Sequence, residues 1–428
     1  EEVDGKGITT LRLTLPKAEK EFDTLTFAKV GDVGIVGLPR KAVEESIAAL
    51  KDGLKGDKIT GGAFGTYQKR YPENDVHMHV NIVPWVQKGM GIAKQVGVDQ
   101  MMGAQAAGMG VSVKSIHDAL GLGDLLSMDW GVEFDGASTV VDGGIQFTKR
   151  SGLMNVLAYT NGPLPKSDFF PRDVPSASVS LFSLENMWKG VMEILETAAP
   201  GMAPMVKQQL GMVEGQLGVS IEKDLLGNLK PEILAIQSSI LADGEAPSDD
   251  MLFMFGLKNE QGFEVAFGKV IAFASGMTGM AFEPSEFLGQ KMQTLETPAG
   301  PGGNPVKISY LFANGYMMIS VGKGEALRKV LSNMERPGKS LWDEDRVKGA
   351  LAQFDEGYSE ISYVDLASML SGLGETLAGV IPDGEVPVDW DHFPTKAEWE
   401  SLIGFVVSAS YIEKNGFFAK AILLPDAK

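Results

Sequence analysis

Phe27 opens the run FAKVGDVGIVGLP (27–39), and a similar run, FANGYMMISVG (312–322), lies toward the other end of the chain. Each reads as β-rich stretches about a short turn, then a helix, then a strand, VHMHVN (76–81) and EISYVD (360–365). Laying Val43, Ile47 and Leu50 on Leu327, Leu331 and Met334 sets an offset of 284, and that offset also puts Val80-Asn81 on Val364-Asp365 without a gap. A repeat of this kind speaks to architecture rather than to chemistry. It predicts that residues 33–86 superpose on 317–370.

Working outward, Asp135-Gly136, Asp142-Gly143-Gly144 and Ser151-Gly152 punctuate β-type runs from Met128 to Tyr159, and Asn415-Gly416 divides Tyr411 to Leu424. Glycine accepts the positive φ that tight hairpins need, so an antiparallel meander is expected at the first site and a hairpin at the second. Pro163, Pro165, Pro171 and Pro175 crowd residues 161–175, which therefore read as a linker. The expected fold is α+β: two related lobes, each a mainly antiparallel sheet with helices packed on one face. The first lobe would span 1–160 and the second 176–428. The second repeat kernel follows about 130 residues of its own lobe and the first only 26, so duplication predicts on the order of a hundred further residues before Glu1.

Helices follow from 3.6-residue spacing. Ser183 is a natural N-cap for a stripe of Leu184, Met187, Trp188, Val191 and Leu195. A second helix, Pro204 to Leu217, turns Met205, Val206, Leu210, Val213 and Leu217 inward. A third spans Phe263 to Met280, and Ile82 to Val96 carries Trp85, Val86, Met90 and Ala93 on one side.

Composition removes several function classes. A net charge of −18 over 428 residues repels nucleic-acid phosphates and anionic membrane surfaces. With no cysteine, disulfides, thiolate catalysis and cysteine metal sites are excluded. The lack of thiols suits an oxidising compartment, so an extracytoplasmic location (periplasmic or secreted) is expected, a cytoplasmic one being the alternative. Glu1-Glu2-Val3-Asp4 is acidic from its first residue and does not read as a signal peptide. The longest apolar windows, such as Val270 to Phe282, are too short to cross a bilayer.

Chemistry-bearing patterns are few. His77 and His79 flank Met78 in a strand and so face the same way, which is half of a zinc or copper site. In the other copy the same positions hold Ile361 and Tyr363, which favours packing. Asp383, Glu385, Asp389 and Asp391 space carboxylates as a hard cation requires, yet Val388 and Pro394 stand where an EF-hand needs Gly and Glu. Gly322-Lys323-Gly324 sits between strand and helix but completes neither nucleotide fingerprint, so a plain turn is expected. No Gly-x-Ser-x-Gly occurs. The methionines say more. Met187, Met192, Met202, Met205 and Met212 crowd one helical segment, and Met277 and Met280 another. Methionine adapts to irregular apolar surfaces, so Met187, Trp188, Met205, Met277 and Met280 are the candidates for lining an apolar groove.

Two stretches, Ile221 to Leu229 (IEKDLLGNL) and the strand ending in Tyr363-Val364-Asp365-Leu366, resemble an uncharacterised family of exported bacterial proteins defined only as a domain of unknown function. The resemblance implies an exported α+β region and assigns no catalytic residue. The expected function is that of a non-enzymatic extracytoplasmic binding or scaffold protein without a cofactor. Its partner would be an apolar, lipid-like molecule or another protein. A hydrolase or metal-dependent enzyme built on dispersed carboxylates and His77/His79 is the alternative.

Overall fold

A computed structural model describes residues 2–3, 8–12, 24–30, 33–37, 43–45, 47–48, 62–136, 138–165, 168–239, 250–297, 305–354, 357–380 and 393–425. The chain divides into two compact units, Glu1–Pro72 and Glu73–Lys428.

In the first unit, β1 (Glu2–Val3), β2 (Ile8–Arg12), β3 (Thr24–Val30) and β4 (Val33–Gly37) form an antiparallel sheet in that order. The β3–β4 hairpin has the register Val30↔Val33, as the run from Phe27 predicts. Ala28, Val43 and Ile47 make a small core. Helix α1 (Gly62–Arg70) buries Tyr67 completely.

The second unit opens with β5 (Val76–Asn81), three helices α2 (Val83–Val96), α3 (Val98–Gly108) and α4 (Val113–Leu120), then the hairpin β6 (Leu125–Asp135) and β7 (Ser138–Phe147). A one-turn helix α5 (Leu153–Val156) leads to β8 (Ser176–Leu181). Next come α6 (Leu184–Ala198) and α7 (Ala203–Leu217), then β9 (Leu229–Ser239) and β10 (Asp250–Leu257). Helix α8 (Glu260–Thr278) precedes β11 (Glu283–Phe287), β12 (Gln290–Glu296), β13 (Lys307–Ala313) and β14 (Tyr316–Val321). Then follow α9 (Glu325–Glu335), α10 (Asp345–Leu351), β15 (Glu360–Asp365), α11 (Leu366–Val380) and α12 (Lys396–Leu402). The hairpin β16 (Phe405–Glu413) and β17 (Gly416–Leu424) closes the chain.

These thirteen strands form one antiparallel sheet, in the order β11-β12-β13-β14-β10-β9-β8-β15-β16-β17-β7-β6-β5. One order of elements recurs three times within it: a strand, a helical segment, then a hairpin whose first strand pairs with the opening strand. The opening strands are β5, β8 and β15, and they pair antiparallel with β6, β9 and β16. Each passes to its helix through a polar side chain that satisfies an early helical amide. Asn81 Oδ1 accepts from Val83 N (3.1 Å), Ser183 Oγ from Asn186 N (3.1 Å) and Asp365 Oδ1 from Ser368 N (2.8 Å). Helix starts leave such donors without a partner of their own, so the caps fix where strand becomes helix.

Alternation sorts the side chains onto two faces. In β10, Leu252 and Met254 are fully buried while Met251 and Phe253 are half-buried. The buried face carries Val179, Leu234, Leu252, Met254, Leu311 and Met318, against which α9 packs Leu327, Val330 and Leu331. On the other face, Phe263 of α8 packs with Leu229, Leu257 and Met317. The helices thus lie on both faces, not on one as expected. Further along that second face β8 carries Ser176, Ser178 and Ser180. Ser178, Ser362 and Ser408 are register neighbours, and the hydroxyls of Ser362 and Ser408 lie 2.7 Å apart.

The division of the chain also differs from the expected lobes 1–160 and 176–428. It falls at Pro72/Glu73. Strand β7 pairs directly with β17 (Phe418↔Gly144, Ile422↔Val140), which makes residues 125–147 and 405–424 parts of one sheet. Nor is 161–175 a linker. Phe169, Phe170 and Val174, set between its prolines, belong to the main core. Proline bars regular structure without making a segment external, and these apolar side chains are buried instead. The meander expected over 128–159 stops after two strands. Arg150 donates to the carbonyls of Met154, Leu157 and Tyr159, which curls the chain into α5.

Candidate functional site

Helices α6 and α7 and the turn that follows α7 line a groove of about 400 Å³, a volume ordinary for a small-ligand site. Trp188 and Met192 line it from α6, Leu210 from α7, and Ile221 from just beyond α7. Gly211 also lines it, and a Cβ placed there would meet nothing within 4 Å. Ile221 opens a turn of π-helix, Ile221–Leu225. Glu214 holds that turn against α7, accepting from Ile221 N at 2.7 Å and from Ser220 Oγ at 3.3 Å.

Charged side chains surround this apolar lining. Lys189 is paired with Glu185 (2.6 Å), and Lys207 with Glu196. The Lys189 hydrogen bond holds the Glu185 carboxyl below the usual range, although burial opposes it. Glu193 accepts from Asn155 Nδ2 at 3.2 Å. Glu222 lines the same groove.

Of the residues expected to line an apolar groove, Trp188 lines this one, and Met187, Met205, Met277 and Met280 do not. Met187 is half-buried beside it but outside the lining. Met205, Met277 and Met280 are 56, 74 and 42% exposed and project outward. On α7 the stripe Val206, Leu210, Val213 and Leu217 turns inward, and Met205, one residue off that spacing, turns out. Trp85 is likewise 64% exposed while Val86, Met90 and Ala93 face inward. Met192 could have been found from its four-residue spacing with Trp188. Glu193 and Glu222 carry no sequence signal, since carboxylates abound in so acidic a chain.

His77 and His79 share a face of β5, as alternation requires, opposite Gly131 and Asp129. His79 Nδ1 lies 2.5 Å from Asp129 Oδ1. Asp129 is fully buried, and its other oxygen accepts from Ser127 Oγ (2.7 Å) and Gln146 Nε2 (2.8 Å). This is a satisfied polar network inside the sheet. Among the described residues no three His, Asp or Glu side chains are grouped to hold a metal. Asp383, Glu385, Asp389 and Asp391 lie outside the described residues.

The Gly322-Lys323-Gly324 corner is a strand-to-helix turn, with φ of 106° at Gly322 and 79° at Gly324. The buried carboxylate of Asp250 occupies the amides a phosphate would need.

No family model matches the chain, and no curated protein matches it. Among solved structures, two crystal forms of the protein TP0453 are similar at 9% and 10% identity, each over 62% of this chain and over 96% and 94% of their own, with a TM-score of 0.26 for both. Among the described residues, no helix is long and apolar enough to cross a membrane.

Proposed function

We propose that this chain is a non-enzymatic binding protein that works outside the cytoplasm and takes a lipid-like molecule, or the apolar side of a protein segment, between α6 and α7. One observation carries the reading: Trp188, Met192, Leu210 and Ile221 together line a groove of about 400 Å³. Apolar side chains left lining a concavity are the usual walls of a ligand site, and methionine repacks around different shapes. The absence of cysteine supports a location where free thiols are a liability.

Titration with lysophosphatidylcholine below its micelle concentration tests the reading. Tryptophan fluorescence should shift, the shift should vanish in Trp188→Phe, and Leu210→Glu should weaken binding. Met205→Glu should leave it unchanged. A spectrum that stays constant in the parent chain overturns the proposal.

We also infer that the repeat marks a duplication. Strands β1-β2-β3-β4 and β11-β12-β13-β14 have the same order and antiparallel sense, and β5 (76–81) meets β15 (360–365) end to end at the offset of 284. Both support descent of the two regions from one unit. Replacing Thr24–Gly37 by Lys307–Val321 should then leave a folded first unit, and loss of its cooperative unfolding would count against the idea.

A further inference from the structure

We infer that the groove between α6 and α7 selects amphiphiles with a cationic head over anionic ones of the same chain length. The inference rests on the groove being a ligand site at all, and it adds the class of ligand. The apolar walls, Trp188, Met192, Leu210 and Ile221, say nothing about the head group. The charges beside them do. Four glutamates, Glu193, Glu196, Glu214 and Glu222, line the groove against two lysines, Lys189 and Lys207; Lys189 pairs with Glu185 and also interacts with Glu222, and Lys207 pairs with Glu196. Glu193 and Glu214 accept from neutral donors: Asn155 Nδ2 for Glu193, Ile221 N and Ser220 Oγ for Glu214. Hydrogen bonds from neutral groups leave the carboxylate charge in place. Together with Glu222 they give the groove a negative potential of its own, within a chain whose net charge of −18 points the same way.

A fatty acid would bring its carboxylate against these glutamates, and like charges at close range are repelled. A quaternary ammonium would be attracted. It would also gain from the indole face of Trp188, the best aromatic partner for a cation. An alkyl chain of moderate length suits the volume, and the head would stay at the carboxylate rim, where it remains hydrated.

The test compares dodecyltrimethylammonium, dodecyl maltoside and dodecyl sulfate below their micelle concentrations at fixed ionic strength, on the full chain, with Trp188 emission as readout. The cationic probe should bind about tenfold or more tightly than the anionic one. Added salt should narrow that gap. The triple variant Glu193→Gln, Glu214→Gln, Glu222→Gln should abolish the preference while keeping the parent circular dichroism, because glutamine still accepts from Ile221 N. If all three probes bind the parent equally, the apolar groove stands and the charge selection is wrong. If dodecyl sulfate binds best, the selection is likewise wrong. If none binds, the groove reading itself fails, and this inference with it.

Discussion

Asp250 accepts from the backbone N–H of Ala326 at 2.9 Å, across 76 positions of sequence. Its other oxygen accepts from Gly324 N at 2.8 Å, and Ser238 donates its hydroxyl to the same carboxylate. A side chain from β10 thus supplies the negative group that the start of α9 favours. Removing it leaves the buried amide of Ala326 and the half-buried amide of Gly324 without this partner, at about 1–3 kcal/mol for a buried group. Asp250→Ala should therefore destabilise the second unit by about 3 kcal/mol or more in urea unfolding, and Asp250→Asn by less, since one oxygen remains. A change below about 0.5 kcal/mol for Asp250→Ala would show that water replaces the carboxylate.

Leu327 sits 2% exposed on α9, against the face that carries Leu234 and Met254. Leu327→Ala should cost about 2–5 kcal/mol, because the surrounding strands are held in register and can close the cavity only in part. Leu402, 64% exposed, is the control: Leu402→Ala should stay within about 0.5 kcal/mol.

Gly152 and Gly136 differ in what a side chain would meet, and Gly152 also has a ψ of −121° that L residues rarely adopt at positive φ. Both have positive φ, 52° and 58°. A Cβ on Gly136 would meet nothing, whereas one on Gly152 would lie 2.2 Å from the carbonyl carbon of Leu120. Gly136→Ala should cost about 1 kcal/mol, the ordinary strain of a left-handed residue. Gly152→Ala should be clearly worse and should unfold at the lower temperature of the two. Equal melting temperatures would mean that α4 and α5 shift apart freely.

Glu360, on β15, is a pH-sensitive weak point. Burial pushes its carboxyl above the usual range, only partly offset by a hydrogen bond from Tyr159. Burial first, and then Glu360, pushes the Tyr159 hydroxyl up in turn. A raised folded-state pKa favours the protonated form, so this stabilisation is fully present below the ordinary glutamate range. It is lost as pH rises through the folded value. Glu360→Gln should thus melt higher than the parent at pH 8 and about equally at pH 4. An advantage of equal size at both pH values would assign the effect to packing.

Much of the element content follows from local pattern. The β3–β4 hairpin, β5, the Ser183 cap, α6 to α8 and the closing hairpin all stand where periodicity and turn residues put them, because caps, glycine turns and alternation act within a few residues. Which elements become neighbours does not follow. That β7 lies against β17, or that Asp250 caps α9, depends on pairings between segments far apart in sequence. The same limit governs the site. Spacing marks Trp188 and Met205 as equally apolar helix positions, yet one lines the groove and the other is 56% exposed. The sequence by itself determined the alternation, the caps, the missing thiols and the acidic balance. Only tertiary packing decided the single antiparallel sheet of the second unit, the burial of the proline-rich stretch and the place where a groove stays open. Burial depends on what arrives from elsewhere in the chain, and residue spacing carries no record of that.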